Sequence, residues 1–309
     1  MSVATPRLPA TVVGASAGPR VLTVDARWLI AYAAALGETD PRFYDTAGAG
    51  PIGHPLFAVC YEWPLAVDLR ERVIGPTIAA RSVHLTHDLV LHRLPRAGDR
   101  LSTTARVAEA VPRRAGTLVV VALETTDAGG AIVSTTRYGS LYRGVPLELA
   151  GQAEPHQDVE ASGAAVRGER PIGGEPSGDT ADARGDVARP PIEWEESVEV
   201  AAGAAHVYTE CSRIWNPIHT DPVVARAAGL PGIILHGTAT LALAVSRVVA
   251  REAGGEPAAV RGVRARFTGM VMLPSTLVVR GRGRRGGQVL FDAMDGGGRS
   301  VLGEGVVST

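Results

Sequence analysis

The chain contains no lysine, so all 31 of its basic residues are arginine. Schiff-base and pyridoxal-phosphate enzymes need a lysine amine, and so do the P-loop that holds nucleotide phosphates and the ATP site of protein kinases. The absence of lysine therefore excludes these chemistries for the chain. Any phosphate of a substrate has to be bound by arginine side chains or by backbone N–H groups.

The chain also has few cysteines, almost no net charge and no long apolar run. The two cysteines, Cys60 and Cys211, lack the paired spacing of a disulfide framework or a zinc site, which favours a reducing compartment. A net charge of −1 argues against nucleic acid or an acidic membrane surface as the main partner. We find no signal-peptide pattern and no apolar run near the ~18 residues of a transmembrane helix. We therefore expect a cytoplasmic protein without a membrane or nucleic-acid partner.

Composition divides the chain into three parts. Residues 151–190 are rich in Gly, Ala, Pro, Asp, Glu and Arg and contain almost no large apolar side chains. Such a segment cannot bury enough apolar surface to offset its ordering entropy, so we predict a flexible, disordered linker. It separates a first domain, residues 1–150, from a second domain, residues 191–309.

The two domains show the same pattern of elements. Each begins with a short strand and a short helix, reaches an Asp-Pro or Asn-Pro turn (Asp40-Pro41 and Asn216-Pro217), and continues with a long apolar helix. Four strand-like runs rich in Val, Thr, Leu and Arg follow in each domain. This pattern predicts an α+β fold in which a duplicated unit wraps a curved antiparallel sheet around a central helix.

One stretch of the second domain carries residues suited to proton transfer. Proline disfavours the helical conformation of the residue before it, so Asn216-Pro217 ends the preceding helix and holds His219 in a turn. Farther along, His236-Gly237 leads directly into the apolar helix. A glycine at a helix start leaves backbone N–H groups free at the positive end of the helix dipole, where they can hold an enolate oxygen. A histidine facing such donors can transfer a proton next to a carbonyl.

This stretch resembles the MaoC-like, or R-specific enoyl-CoA hydratase, family of hot-dog-fold proteins. Asn216, Pro217, His219 and Asp221 match the family signature Asp-x-Asn-Pro-x-His-x-Asp, and His236-Gly237 matches its later His-Gly pair. The two domains together resemble the double-hot-dog members, so the resemblance implies two tandem hot-dog domains, the first of them degenerate. It also implies hydration of a 2-enoyl thioester or dehydration of a 3-hydroxyacyl thioester, on CoA or a carrier protein. It implies no cofactor and no metal, and we expect a homodimer.

The resemblance assigns roles to individual residues. His219 is the expected acid/base, Gly237 is the expected backbone donor to the thioester oxygen, and Asn216 belongs to the same catalytic set. The acyl chain is expected to lie along the central helix of the first domain, in a pocket narrowed by a tryptophan. The residues predicted to contact it are Leu56, Phe57, Tyr61 and Trp215.

One position departs from the family pattern. The family histidine is paired with an aspartate five positions earlier, and here that position is Ile214, which cannot orient water or exchange a proton. General acid–base steps are typically worth ~10²–10⁴ in rate. The departure leaves three alternatives open: a hydratase or dehydratase, a thioester-binding protein that no longer hydrates its ligand, and an isomerase or cyclase of a natural-product intermediate.

Other carboxylates could replace the missing aspartate. Glu38 stands at the aspartate position of the first domain, where Phe43 replaces the histidine, so Glu38 and His219 could complete one site across the domains. Glu210 is predicted to lie about one helical turn before the Ile214 position, on the same helix face. Asp221 is expected to orient the turn.

The remaining histidines give weaker signals. Strand alternation predicts His84 on one face of a strand and His87 on the other, with no Asp, Glu or Cys pattern that would make them metal ligands. His84 resembles a histidine that the family's N-terminal domains place on a strand facing the acyl site. His54 is predicted to lie at the surface or in a turn, and His236 has either a structural or a functional role.

Overall fold

The computed structural model describes residues 6–148 and 190–309. Residues 151–189 of the predicted linker lie outside the described residues, so the linker and the domain boundaries that depend on it stay predictions.

The elements of the two domains follow one another in the same order. The first domain contains β1 (Ser16–Thr23), α1 (Ala26–Ala35), α2 (Ala58–Val73), α3 (Pro76–Ala79), β2 (Ser82–Leu91), β3 (Arg100–Arg113), β4 (Gly116–Thr126) and β5 (Ile132–Arg143). The second contains β6 (Trp194–Val200), α4 (Ala204–Ser212), α5 (Pro222–Ala227), α6 (Gly237–Glu252), β7 (Gly262–Phe267), β8 (Ser275–Arg285), β9 (Gln288–Asp295) and β10 (Ser300–Ser308). Short 3₁₀ helices, Pro41–Phe43 and Pro217–His219, occupy equivalent places after α1 and α4.

The described strands form one antiparallel sheet in the order β1-β3-β4-β5-β2-β7-β10-β9-β8-β6. Each domain contributes a continuous half of it, and the halves join where β2 pairs with β7, with Thr86 opposite Arg266 and Val90 opposite Gly262. Each half thus repeats the predicted unit of helix and antiparallel strands. The predicted α+β class and its duplication are confirmed.

The central helix of the second domain is apolar on a broad face. Leu241, Val245, Val248 and Val249 recur at helical spacing and are buried in the core. The helix packs against β7, β8, β9 and β10, and each such side chain contributes ~1.5–3 kcal/mol by leaving water. Burial therefore fixes the helix axis, and with it the position of the helix start at Gly237.

The two domains also meet through α1 and α4. The hydroxyl groups of Tyr32 and Tyr208, one from each helix, lie 3.3 Å apart in the core. Tyr208 donates a hydrogen bond to the hydroxyl of Thr238 at 3.1 Å, in the first turn of α6. The start of α6 is thereby tied to the first domain.

Strand β2 contains a bulge between His84 and Thr86 in its pairing with β5. A bulge inserts one extra residue and shifts the alternation of side chains beyond it. The rings of His84 and His87 consequently contact each other, with centroids 5.5 Å apart. The prediction that they face opposite sides of the strand is wrong for this reason.

No helix among the described residues is long and apolar enough to cross a membrane.

Candidate active site

The turn that holds His219 is built from its own sequence. Helix α4 ends at Ser212, and Arg213 follows in the left-handed conformation at φ 61°. Asn216 then caps the 3₁₀ helix Pro217–His219, because its side-chain oxygen accepts a hydrogen bond from the N–H of Ile218 at 3.4 Å. The expectation that Asn-Pro follows the end of a helix and fixes the histidine in a turn agrees with this geometry.

The hydrogen bond of His219 defines its tautomer. Its Nδ1 lies 2.8 Å from the carbonyl oxygen of Ile234. A carbonyl oxygen can only accept, so Nδ1 carries the proton and Nε2 keeps a free lone pair. Burial lowers the pKa of His219 to about 4, so the ring is neutral at pH 7. A neutral imidazole with a free Nε2 is able to accept a proton.

His236 lies directly against this ring. The centroids of the two imidazoles are 3.7 Å apart, and the Nε2 of His236 lies 3.2 Å from the hydroxyl of Thr209. Burial, and then the neighbouring His219, lower the pKa of His236 to about 2. Both rings are therefore neutral, and His236 holds the plane of His219.

Helix α6 begins at Gly237 without a side-chain cap. Its first intrahelical bond runs from the N–H of Thr240 to the carbonyl of His236, so the N–H groups of Gly237 and Thr238 have no partner within the helix. A Cβ on Gly237 would lie 3.1 Å from the ring of Phe267. Glycine is thus the residue that lets Phe267 pack against the start of the helix.

These groups open onto a cleft of about 670 Å³ between the domains, a size typical of small-molecule sites. From the second domain it is lined by Asn216, His219, His236, Gly237, Thr238 and Phe267, among others, and from the first by Trp63, Arg70, Arg81, His84, Tyr138 and Arg143. None of the described residues that line it is Asp or Glu. The described part of the cleft thus brings His219 and the start of α6 together without a carboxylate.

Comparison with known proteins identifies both domains. The MaoC-like domain matches residues 187–292, and the FAS1-like dehydratase domain region matches residues 11–136. The chain carries a MaoC-like domain behind a FAS1-like dehydratase region.

Individual relatives agree with this assignment. The chain is 30% identical over 209 residues to 3-hydroxyacyl-thioester dehydratase Y of Mycobacterium tuberculosis, a match that covers 66% of this chain and 62% of that protein. It is 42% identical over 72 residues to the fatty acid synthase beta subunit pkiC of Emericella nidulans, which is 23% of this chain but only 4% of that protein.

The fold agrees with a solved structure over nearly the whole chain. The MaoC-like dehydratase of Phytophthora capsici superposes with a TM-score of 0.72 at 21% identity, covering 96% of this chain and 95% of that one. At this identity the likeness concerns the fold alone. The predicted tandem hot-dog architecture is confirmed.

A second pocket of about 220 Å³ lies at the equivalent place of the FAS1-like region. Glu38 accepts a hydrogen bond there from the hydroxyl of Ser246, and the Nε2 of His54 lies 3.2 Å from the same hydroxyl. Phe43 stands where the MaoC-like domain has its histidine. The hypothesis that Glu38 and His219 complete one site is wrong, because these bonds hold Glu38 in the second pocket.

The helix start at the second pocket differs from that at the cleft. Pro55 stands at the start of its helical segment, where the MaoC-like domain has Gly237, and proline has no N–H. The next N–H, of Leu56, is bonded to the Nδ1 of His54 at 3.0 Å. Of the predicted surface or turn position of His54, the surface is wrong, because the residue is 2% exposed. It directly precedes the 3₁₀ helix Pro55–Phe57 and its ring caps that helix.

The other candidate carboxylates, Glu210 and Asp221, do not line the cleft. Glu210 is exposed on α4, and since that helix ends at Ser212, the predicted shared face with Ile214 does not exist. Asp221 caps α5 by accepting the N–H of Val223 at 2.7 Å. Ile214 itself is 3% exposed and belongs to the core.

The predicted acyl contacts do not line the cleft. Leu56, Phe57 and Tyr61 are fully buried in the core, and the side chain of Trp215 is 64% exposed. For Tyr61 the reason is the rotation of α2, because the face of this helix that lines the cleft carries Trp63 and Arg70, seven positions apart and thus on one side of the helix. That spacing was visible in the sequence, whereas the contact of Phe267 with Gly237 was not.

Proposed function

We propose that the chain is a hydro-lyase that hydrates a 2-enoyl thioester or dehydrates a 3-hydroxyacyl thioester carried on CoA or a carrier protein. The observation that carries the proposal is that His219 and the start of α6 line the same cleft. The Nε2 of His219 is free to accept a proton, and the uncapped start of α6 at Gly237 offers N–H groups to an oxyanion. The name of the relative 3-hydroxyacyl-thioester dehydratase Y supports the same reaction class.

His219 performs both proton steps in this mechanism. During hydration its Nε2 takes a proton from water as the water oxygen bonds to C3 of the enoyl group, and an enolate forms. The imidazolium then returns that proton to C2, which restores the neutral ring. Dehydration runs in reverse: Nε2 removes the C2 proton and the imidazolium protonates the departing C3 hydroxyl. One residue suffices because the proton taken is the proton returned.

The N–H of Gly237 holds the enolate oxygen. Negative charge develops on the thioester oxygen in both directions of the reaction, and a preorganised N–H at a helix start stabilises it without reorganisation. Asn216 contributes by capping the turn that carries His219.

A second candidate function rests on the absence of Asp and Glu from the described lining of the cleft. An isomerase or cyclase needs one acid/base group and an oxyanion site but no activated water, and a thioester-binding protein needs neither proton step.

The test separates these candidates with wild-type protein. Hydration of crotonyl-CoA and 2-decenoyl-CoA is followed by loss of the enoyl absorbance, and exchange of the C2 protons of the saturated esters is followed by NMR in D₂O. Hydration supports the proposal. Exchange without hydration supports an isomerase or cyclase, and binding of the esters without either reaction supports a binding protein; both of these outcomes contradict the proposal.

A further inference from the structure

The first-domain end of the cleft is cationic. Arg70, Arg81 and Arg143 line it, and no described lining residue carries a negative charge. The structure shows no hydrogen bond or ion pair between the side chains of Arg81 or Arg143 and any described residue. Three arginines of the first domain therefore line the cleft, and none of the described residues that line it with them is acidic.

A row of ring contacts links this end to the reaction centre. Phe267 packs against the start of α6 at Gly237, and its ring centroid lies 4.3 Å from that of His84. His84 in turn stacks on Tyr138 at 3.9 Å. The cleft wall thus runs from the oxyanion site along three rings into the first domain. Tyr138 and Arg70 line a further small pocket together, so an acyl chain that begins at Gly237 and follows this wall reaches the neighbourhood of Arg70.

Arg70 is held in place but is incompletely bonded. Its guanidinium lies 5.8 Å from the centre of the Trp63 ring, and its buried Nε has no hydrogen-bond partner among residues 6–148 and 190–309. A bare alkyl chain against Arg70 would leave its guanidinium without a partner, whereas an anionic ligand would bond to it.

We propose that this end of the cleft binds an anionic group of the thioester substrate through Arg70, with Arg81 and Arg143 at the rim. The proposal rests on the proposed function, because it takes a thioester to be the ligand of the cleft. Two parts of such a substrate are anionic: a carboxylate at the far end of the acyl chain, and the phosphates of the CoA or carrier arm. Planar guanidinium groups recognise both by paired hydrogen bonds.

The test measures binding, not turnover, by titration calorimetry with freshly prepared saturated CoA esters, which have no enoyl group to hydrate. Pairs of equal length differ only at the chain end: butyryl and succinyl, hexanoyl and adipoyl, octanoyl and suberoyl. Arg70→Gln is compared with Arg72→Gln, a matched control on the same helix whose side chain is exposed outside the cleft. Arg70→Lys keeps the charge, and the Arg81→Gln/Arg143→Gln double variant replaces Arg70→Gln if the latter does not fold.

If the anion is a terminal carboxylate, the dicarboxylic ester of at least one pair should bind about tenfold more tightly than its monocarboxylic partner. Arg70→Gln should remove this preference, whereas Arg72→Gln should keep it. If the anion is the phosphates, Arg70→Gln should lower the affinity for both members of every pair at least fivefold. The affinity for the matching pantetheine thioesters, which lack phosphate, should stay unchanged. The proposal is overturned if Arg70→Gln changes no affinity more than twofold. It is also overturned if Arg70→Gln weakens the binding of monocarboxylic pantetheine thioesters as much as that of the corresponding CoA esters. Failure of every acyl-CoA to bind would instead contradict the proposed function.

Discussion

The ring of His236 stacks on the ring of His219, with centroids 3.7 Å apart and planes at 25°. The stack and the hydrogen bond from Nδ1 to the Ile234 carbonyl restrict the rotation of His219 from two directions. In the proposed mechanism His236 is therefore a positioning residue that acts through His219 and keeps Nε2 in one orientation in the cleft.

Replacement of His236 tests this positioning. We expect His236→Phe to keep hydration within about fivefold of wild type, because a flat ring still supports His219, and His236→Ala to lose about 10-fold to 100-fold in kcat. Both variants lose the bond to Thr209, so that loss is matched. Steady-state kinetics with crotonyl-CoA checks the difference. Equal losses in the two variants would show that stacking has no role.

Gly237→Ala tests the close contact at the start of α6. The new Cβ would lie 3.1 Å from the Phe267 ring, so either the ring or the helix start has to shift. We expect kcat to fall at least about tenfold, since small displacements of an oxyanion donor are costly, and Phe267→Leu to restore part of it. Gly203→Ala, at the start of α4 with no atom within 4 Å of the new Cβ, is the control. A Gly237→Ala variant as active as this control would refute the account of the contact.

The buried histidines predict acid sensitivity of the fold. Burial lowers the pKa of His54 to about 3, below its ordinary 6.5. The unfolded chain then binds a proton that the folded chain does not, so the free energy of unfolding falls as the pH drops from 6.5 toward the folded value. Each such histidine costs about 1 kcal/mol between pH 7 and 5.5. Urea unfolding at the two pH values should show a smaller drop for His54→Gln than for wild type by about this amount, and an identical drop would argue against a buried neutral His54.

Ile214→Asp tests whether the departure from the family pattern can be reversed. The side chain is 3% exposed in the core, and burying an unpaired carboxyl there should cost about 2–4 kcal/mol of the free energy of unfolding. Ile214→Leu, which keeps the apolar volume, should cost less than about 1.5 kcal/mol. We expect no gain in hydration, since Ile214 does not line the cleft. A tenfold faster hydration by Ile214→Asp would show that the site still accommodates the carboxylate.

Local patterns were sufficient to predict the elements and the placement of His219. The Asn-Pro pair, the His-Gly pair and the apolar spacing of α6 are properties of neighbouring residues, so their consequences are readable in the sequence. The alignment of Phe43 with His219 was equally readable, since both end a Pro-initiated 3₁₀ helix.

Long-range packing accounts for what the sequence did not reveal. The bulge beside His84 depends on pairing between β2 and β5, and the cleft face of α2 depends on how that helix packs against β1 and β3. Glu38 has the sequence position that corresponds to Ile214, but its partner Ser246 comes from the central helix of the other domain. Such a contact has no signature in local spacing.

The central claim is that His219 alone moves the proton. It is tested most directly by the rate of crotonyl-CoA hydration for wild type and His219→Ala, with the affinity for butyryl-CoA measured in parallel. The account predicts that kcat falls by ~10²–10⁴ while the affinity changes only a few-fold. An unchanged rate of hydration in His219→Ala would contradict it.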